Sequence, residues 1–138
     1  MEFRTASRDD IPRIIELWDV CGLASGVEQD TREIEERLRE PDGFFVLGEI
    51  DGMLVAGAMG CYDNHRGWVK RVAISPEQRG KGLGRMVVAE LERRFLGAGI
   101  SKLRLAVWDE NESALEFWNR MDYVELPDIR YFTKDLLD

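Results

Sequence analysis

The chain is poor in the residues that build metal and redox centres. Its 138 residues include one histidine, His65, and two cysteines, Cys21 and Cys61. Two cysteines are too few for a disulfide framework or a four-cysteine zinc site, so no metal is expected. They read as small buried hydrophobes in a reducing cytosol. Long apolar runs are missing as well. No stretch reaches the ~18 residues that a membrane-spanning helix needs. Met1-Glu2-Phe3-Arg4 lacks the charged head and apolar stretch of a secretory signal. The expectation is a cytoplasmic protein with no membrane partner. Basic charge is also short: 19 Lys and Arg face 27 Asp and Glu, for a formal charge of −8. A nucleic-acid binder would carry a basic patch and a high isoelectric point, so nucleic acid is not an expected partner either. Acidity of this size speaks first to solubility and is compatible with a cationic substrate such as an amine.

What is present suffices for a single domain over residues 1–138. A short strand is expected at Phe3-Arg4-Thr5. Ser7 and Asp10 have capping-box spacing and Pro12 fits only a first turn, so a helix opens there. Ile11, Ile14, Ile15 and Trp18 share one face of it, and Gly22 ends it. Residues 23–29 read as a loop. Asp30 is placed to cap a second, solvated helix, braced by Glu33/Arg37 and Glu35/Arg39 at i,i+4 and stopped by Pro41-Asp42-Gly43. An antiparallel meander follows: a strand over 44–50, the two-residue turn Asp51-Gly52, a central apolar strand from 53 to about 60, a turn over 63–67, and a strand over 68–74. Next come a helix over 84–95, a strand through Leu103, Leu105 and Val107, and a helix from Asn111 to about Met121. A final pair of strands, 122–126 and 129–135, closes the chain. The sum is an α/β layered fold, its mostly antiparallel twisted sheet of about 6–7 strands flanked by about four helices.

One segment carries the chemistry. In Val72-Ala73-Ile74-Ser75-Pro76-Glu77-Gln78-Arg79-Gly80-Lys81-Gly82-Leu83-Gly84, a strand ends at a proline. Three glycines at alternate positions then open a strong helix. Glycine lets the backbone take positive φ and lets a ligand approach closely. Successive N–H groups at a helix start form a nest for an anion, and Arg79 and Lys81 add charge-assisted donors. A pyrophosphate is the expected ligand. Lys81 is out of frame for a Walker loop, G-x-x-x-x-G-K-S/T. A dinucleotide fingerprint needs G-x-G-x-x-G in a βαβ unit, whereas these glycines run G-x-G-x-G after a meander. A tight turn without a ligand is the alternative.

Arg79-Gly80-Lys81-Gly82-Leu83-Gly84 matches the Q/R-x-x-G-x-G/A signature of the GNAT superfamily of acetyltransferases. Val72-Ala73-Ile74-Ser75-Pro76-Glu77 resembles the strand and proline that lead into it. Asn111-Glu112-Ser113-Ala114-Leu115-Glu116-Phe117-Trp118 resembles the N-x-x-A-x-x-F/Y-Y segment that often follows. The resemblance covers essentially the whole chain, element order included. Within it, Tyr62-Asp63-Asn64-His65-Arg66-Gly67 is similar to a small bacterial branch.

The resemblance implies an N-acetyltransferase that takes acetyl-CoA as co-substrate. The acetyl group would pass by direct attack to a primary amine of a small molecule, protein or peptide. In the superfamily the strand before the signature carries a bulge and splays from its neighbour, and the pantetheine lies in the gap. On this chain that assigns main-chain groups of Val72, Ala73 and Ile74 to the pantetheine arm. The Val72 N–H would meet the thioester carbonyl as the oxyanion donor. The backbone of Arg79, Gly80, Lys81, Gly82, Leu83 and Gly84 would hold the pyrophosphate. Asn111 would line the opposite wall, at a position that also suits a helix N-cap.

One departure stands out. The superfamily often has a tyrosine where Trp118 stands, to protonate the leaving thiolate. An indole offers only an N–H donor, although a thiol of pKa about 8.5 is a tolerable leaving group unassisted. Tyr123 and Tyr131 fall nearby in the expected fold, though core packing suits both. A protonated amine needs a general base. His65, at the meander turn, is the candidate because it can titrate near neutrality, with Glu49 and Asp63 behind it. A solvated turn histidine is the plainer role. Trp18 precedes the loop where the superfamily commonly shapes its acceptor site, which sets it apart from the core tryptophans. The rivals are an acyl-CoA-binding regulatory domain of the same fold without turnover, which Trp118 motivates, and a nucleotide binder. A monomer or homodimer is expected, and an exposed apolar edge in 129–135 would favour the dimer.

Overall fold

The computed structural model describes residues 1–137. Its centre is the meander that the turn residues dictate. β2 (Phe45–Ile50) and β3 (Met53–Tyr62) are joined by Asp51-Gly52, with φ of 51° and 77°, which suits the twist of a two-residue hairpin. β4 (Gly67–Ile74) returns along β3, and β1 (Glu2–Thr5) pairs with the other side of β2, all antiparallel. α3 (Leu83–Gly97) then crosses over, and β5 (Leu103–Arg104) runs parallel to β4. The order β1-β2-β3-β4-β5 puts β3 in the middle, as its unbroken buried run from Val55 to Gly60 requires.

Helices cover both faces of this sheet. α1 (Ile11–Val20) and α2 (Val27–Leu38) cover one, where Ile14, Leu17, Trp18 and Ile34 pack with Phe45, Leu47, Met59 and Ala73. On the other, Phe95 of α3 stacks on Phe44 with ring centroids 4.3 Å apart. Residues Met1–Leu105 form one compact unit, and the chain from Ala106 onward forms a second. The second unit holds α4 (Glu112–Arg120). Among the described residues no helix is long and apolar enough to cross a membrane.

The entry to α1 is built as the capping-box spacing requires. Ser7 N–H donates to the Asp10 carboxylate at 2.8 Å, and Pro12 sits in the first turn. Asp10 is only 3% exposed. Its carboxylate also accepts from Arg4 at 2.7 Å and from Arg13 at 2.7 Å. Both arginines reach on to Glu49 of β2, at 2.9 and 3.0 Å. Four charges thus tie β1, α1 and β2 together.

Several expectations need correction. Among the described residues the sheet is mixed and has five strands, not 6–7. The strand expected through Val107 stops at Arg104. Residues 122–126 and 129–135 form no strand. A strand must pair its backbone and bury a face. Here Pro127 lacks an N–H, Val124, Tyr131 and Phe132 are exposed, and the Ile129 N–H closes a turn on the Leu126 carbonyl. Asp30 does not cap α2 from outside. The cap is Gly26, and Asp30 lies in the first turn, fully buried, accepting Ser25 N–H at 3.1 Å. The two i,i+4 pairs on α2 give way to other partners. Glu33 turns to Arg71 (2.9 Å), Arg37 to Asp42 (2.8 Å), Glu35 to Arg8 (2.8 Å) and Arg39 to Glu36 (3.2 Å). Exposed helical pairs stabilise by only a few tenths of a kcal/mol, so tertiary partners displace them at Glu33 and Glu35, while Arg39 exchanges one helical neighbour for another.

Arg4 first, then Arg13, holds the Asp10 carboxyl well below the usual carboxylate range, and the same pair lowers Glu49. A carboxyl with a lower pKa folded than unfolded contributes stability at neutral pH. That contribution is lost as pH falls through the unfolded value of about 4 toward the folded one. The urea midpoint is therefore expected to fall between roughly pH 5 and pH 2. Asp10→Asn should cost about 2 kcal/mol at pH 7 and flatten the acid limb. Equal stability of parent and variant at pH 7 would show that the network contributes nothing.

Candidate functional site

The site begins with an interruption in β4. Met59 faces Lys70, yet Gly57 faces Ala73, so Arg71 and Val72 together oppose Ala58. That is a bulge, two residues against one. It changes which way the main chain points. Gly67 N–H donates to Lys102 on the β5 side at 2.9 Å. By the two-residue alternation, Val69 and Arg71 face that side too. Beyond the bulge, Ser75 N–H donates to Val55 of β3 at 2.8 Å, so Val72 and Ile74 now face the β5 side. β5 pairs with β4 only at Gly67 and Trp68. Among the described residues, that edge of β4 has no strand beside it from Val69 to Ile74.

The same strand runs into the glycine segment. A 3₁₀ turn at Pro76–Gln78 follows it. Gly80 and Gly82 then take φ of +79° and +78°, and a Cβ on either would meet nothing within 4 Å. Both positions need glycine for backbone conformation, not for want of space. Gly82 caps α3 in the left-handed region, and the first helical bond runs from Met86 N–H to Gly82 at 3.2 Å. The amides of Leu83 and Gly84 therefore precede the helical ladder and point out of its first turn, where an anion is stabilised. Lys81 reaches Gln78 at 3.1 Å. The Ile74 carbonyl accepts from Arg79 Nε at 3.3 Å and from the Cys21 thiol at 3.2 Å. Val72, Ile74 and residues 79–84 thus follow one another along one edge, whereas Ala73, expected on it, lies opposite Gly57 and turns its main chain to β3.

Other candidates lie elsewhere. His65 is exposed in the β3–β4 turn. Five residues of strand, roughly 16 Å at ~3.3 Å per residue, separate Gly67 from Val72. Asp63 accepts Arg66 N–H (2.7 Å), Trp68 Nε1 (2.9 Å) and His65 N–H (2.8 Å). These donors pull its carboxyl down to about 2, far too acidic to take a proton from an amine. Glu49 is committed to Arg4 and Arg13. In the second unit, Asn111 caps α4, its side chain accepting Ala114 N–H at 3.1 Å. Trp118 makes edge contacts with Phe117 and Tyr123, and Tyr131 is exposed. Trp18 is 1% exposed and belongs to the core; it does not line an acceptor loop, because its apolar ring completes the α1 face.

Two features were not anticipated. Arg71, next to Val72, has φ +49° inside a strand, and its side chain reaches Asp30 and Glu33. A charged residue inside Val69-Lys70-Arg71-Val72-Ala73-Ile74 was the available signal. A pocket of about 310 Å³ also lies between α2 and the strands, lined by the acids Glu33, Glu36, Glu40 and Asp42, the bases Arg37 and Lys70, and Met59, Cys61 and Tyr62. Met59 and Lys70 form the last rung before the bulge.

The profile described as Acetyltransferase (GNAT) family matches residues 11–123. An acetyltransferase of Yersinia pestis (strain Pestoides F) is 30% identical over 123 residues, which are 89% of this chain and 87% of that protein. An aminoglycoside antibiotic 6'-N-acetyltransferase of Acinetobacter haemolyticus has a similar structure, with a TM-score of 0.82 at 18% identity and 99% of each chain covered. AAC(6')-Iy, solved in complex with a bisubstrate analogue of CoA, reaches 0.82 at 13% identity, covering 97% of each chain. At these identities the likeness is one of fold; this chain has four α-helices and a mixed five-stranded sheet among its described residues.

Gly82 tests the cradle directly. Gly82→Ala should cost about 1–2 kcal/mol, the penalty of a left-handed residue with a Cβ. Gly82→Asn should cost less, because asparagine tolerates that region. Thermal unfolding of the two variants reads the difference. Equal losses would mean that something other than φ fixes the glycine.

Proposed function

Because the chain belongs to the GNAT acetyltransferase family, we propose that it transfers the acetyl group of acetyl-CoA to a primary amine by direct attack. The observation that carries this reading is the β4 bulge, which turns Val72 and Ile74 toward an edge without a neighbouring strand just before the glycine cradle. The pantetheine arm would lie along that edge. The Ile74 carbonyl already accepts twice, so the N–H groups of Val72 and Ile74 are the groups offered to it. The backbone of residues 79–84 would hold the pyrophosphate, with Arg79 and Lys81 adding charge.

In the reaction the amine nitrogen bonds to the thioester carbon and the carbon–sulfur bond breaks. Negative charge gathers on the carbonyl oxygen, and the Val72 N–H is the donor that stabilises it. The thiolate, with a conjugate pKa of about 8.5, leaves without a dedicated acid; Trp118 is no proton source. The amine sheds its proton to water, since Asp63 and Glu49 are held as anions and His65 sits at the far end of β4. The pocket beside the bulge supports an amine as acceptor. Its lining sets four carboxylates against Arg37 and Lys70, a balance of charge that favours an approaching cation.

A non-catalytic acyl-CoA-binding domain is the rival reading, favoured by Trp118 at the tyrosine position. Thermal unfolding with acetyl-CoA, CoA, ATP and NAD in parallel tests the shared step. At about 100 times its dissociation constant, acetyl-CoA should add about 2.7 kcal/mol to the native state, with CoA adding less and ATP and NAD nothing. No shift with acetyl-CoA would remove both readings. Release of CoA with 1,4-diaminobutane, a lysine peptide or an aminoglycoside then separates enzyme from binder. With an alkyl amine, kcat/KM should climb about tenfold per pH unit between pH 7 and 9, following the acceptor's own proton. A profile that levels off well below the acceptor's own pKa, and regains its slope in His65→Gln, would return the base role to His65.

A further inference from the structure

Among the described residues, four that are not glycine have positive φ: Asp51, Asn64, Arg71 and Asp122. Asp51, Asn64 and Asp122 lie in turns, where such a conformation is ordinary. Arg71 lies within β4, at the bulge. A left-handed residue with a Cβ costs about 1–2 kcal/mol, and such a conformation persists only when its surroundings over-determine it.

The surroundings do so through the side chain. Arg71 Nε and Nη2 grip the two oxygens of Glu33 at 3.1 and 2.9 Å. Nη1 donates to the Leu23 carbonyl. Nη2 also faces Asp30 at 3.4 Å, and Asp30 is fully buried and fixed by Ser25 N–H. The guanidinium lies over the Trp18 ring, 4.4 Å from its centroid. One side chain is therefore held by α1, by the connection that follows it, and by α2. A planar fork matched to a carboxylate and stacked on an indole has little freedom left.

We infer that Arg71 is a positioning residue for the acetyl transfer. Its clamped side chain holds the left-handed turn that lets consecutive peptide groups, those at 71 and 72, face the same edge. The Val72 N–H is thereby aimed before substrate arrives. An oxyanion donor fixed in advance needs no reorganisation as charge develops, which is where such donors gain their effect. The inference rests on the acetyl-transfer reading, because it assigns the Val72 N–H its task.

Arg71→Gly separates the clamp from the fold. Glycine accepts the bulge conformation without cost, so the variant keeps the strand but no longer enforces the conformation. Acetyl-CoA affinity, read by titration calorimetry, should stay within about threefold. The value of kcat with the best amine of 1,4-diaminobutane, a lysine peptide and an aminoglycoside should fall about 30- to 300-fold, in the range set by losing one oxyanion donor. Arg71→Lys, which keeps the charge without the fork or the stack, should recover only part of that loss. Glu33→Gln should lower kcat in the same way, and should add little on the Arg71→Gly background, as coupled residues do. The clamp is overturned if Arg71→Gly keeps kcat within threefold, if affinity falls in step with kcat, or if the two losses multiply. Should Arg71→Gly fail to fold, Glu33→Gln alone decides by the same split between affinity and kcat. A parent protein that binds acetyl-CoA while its variants run at full speed removes the clamp alone. A parent that transfers nothing removes the reading beneath it, and the clamp with it.

Discussion

A β-strand can point its main-chain groups to only two sides, and it alternates between them residue by residue. A strand that belongs to a sheet and also serves a ligand must break that alternation somewhere. Here the break falls at Arg71-Val72. Above it the strand behaves as an interior member, bonded to β3 and β5. Below it, among the described residues, no strand pairs with the β5 side. The proline that ends β4, the 3₁₀ turn and the glycine-led helix all follow from where that edge leads. Backbone amides can bind a thioester arm and a pyrophosphate only if no neighbouring strand has taken them first.

Two buried carboxylates frame this arrangement, and both are answered by arginine. Asp10 gathers Arg4 and Arg13 at the β1 side of α1, and Asp30 meets Arg71 at the β4 side. Arg4 and Arg13 hold the Asp10 carboxyl well below the usual carboxylate range, and Asp30 is fixed by Ser25 N–H at 3.1 Å and by one Arg71 nitrogen at 3.4 Å. α1 is thus held at one flank by the Asp10 ion pairs and at the other by the Arg71 guanidinium over Trp18, while its apolar face fills the space between. The arrangement also explains why a chain of strongly negative formal charge keeps many arginines: several serve as struts inside it and are not available on its surface.

How much of this could be read beforehand depended on the range of the signal. The Asp51-Gly52 hairpin, the first-turn Pro12, the central position of β3 and the glycine-led start of α3 rest on residues adjacent in sequence, and they came out as expected. The bulge came only through the family resemblance, since no local pattern in Val69-Lys70-Arg71-Val72 marks it. What Arg71 does is set by partners 38 to 53 residues away. Asp30 was legible as a capping residue by type, but its burial depends on the same distant guanidinium. The 122–126 and 129–135 segments carried strand-like alternation, yet alternation states what a segment could bury and not whether a partner is present. Asn111 kept the local role that its type suggests, capping α4.

The direction of the clamp along the chain has its own consequence. Trp18, Leu23, Asp30 and Glu33 all precede Arg71 in sequence. Synthesis delivers a protein N-terminus first, so the whole receptor for this guanidinium leaves the ribosome before the strand that needs it. The β2–β3–β4 ribbon can zip through its short turns on local contacts alone. The kink in its last strand must await a surface already made upstream. The order of translation and the order of assembly therefore coincide at the point where the chain departs most from a regular strand.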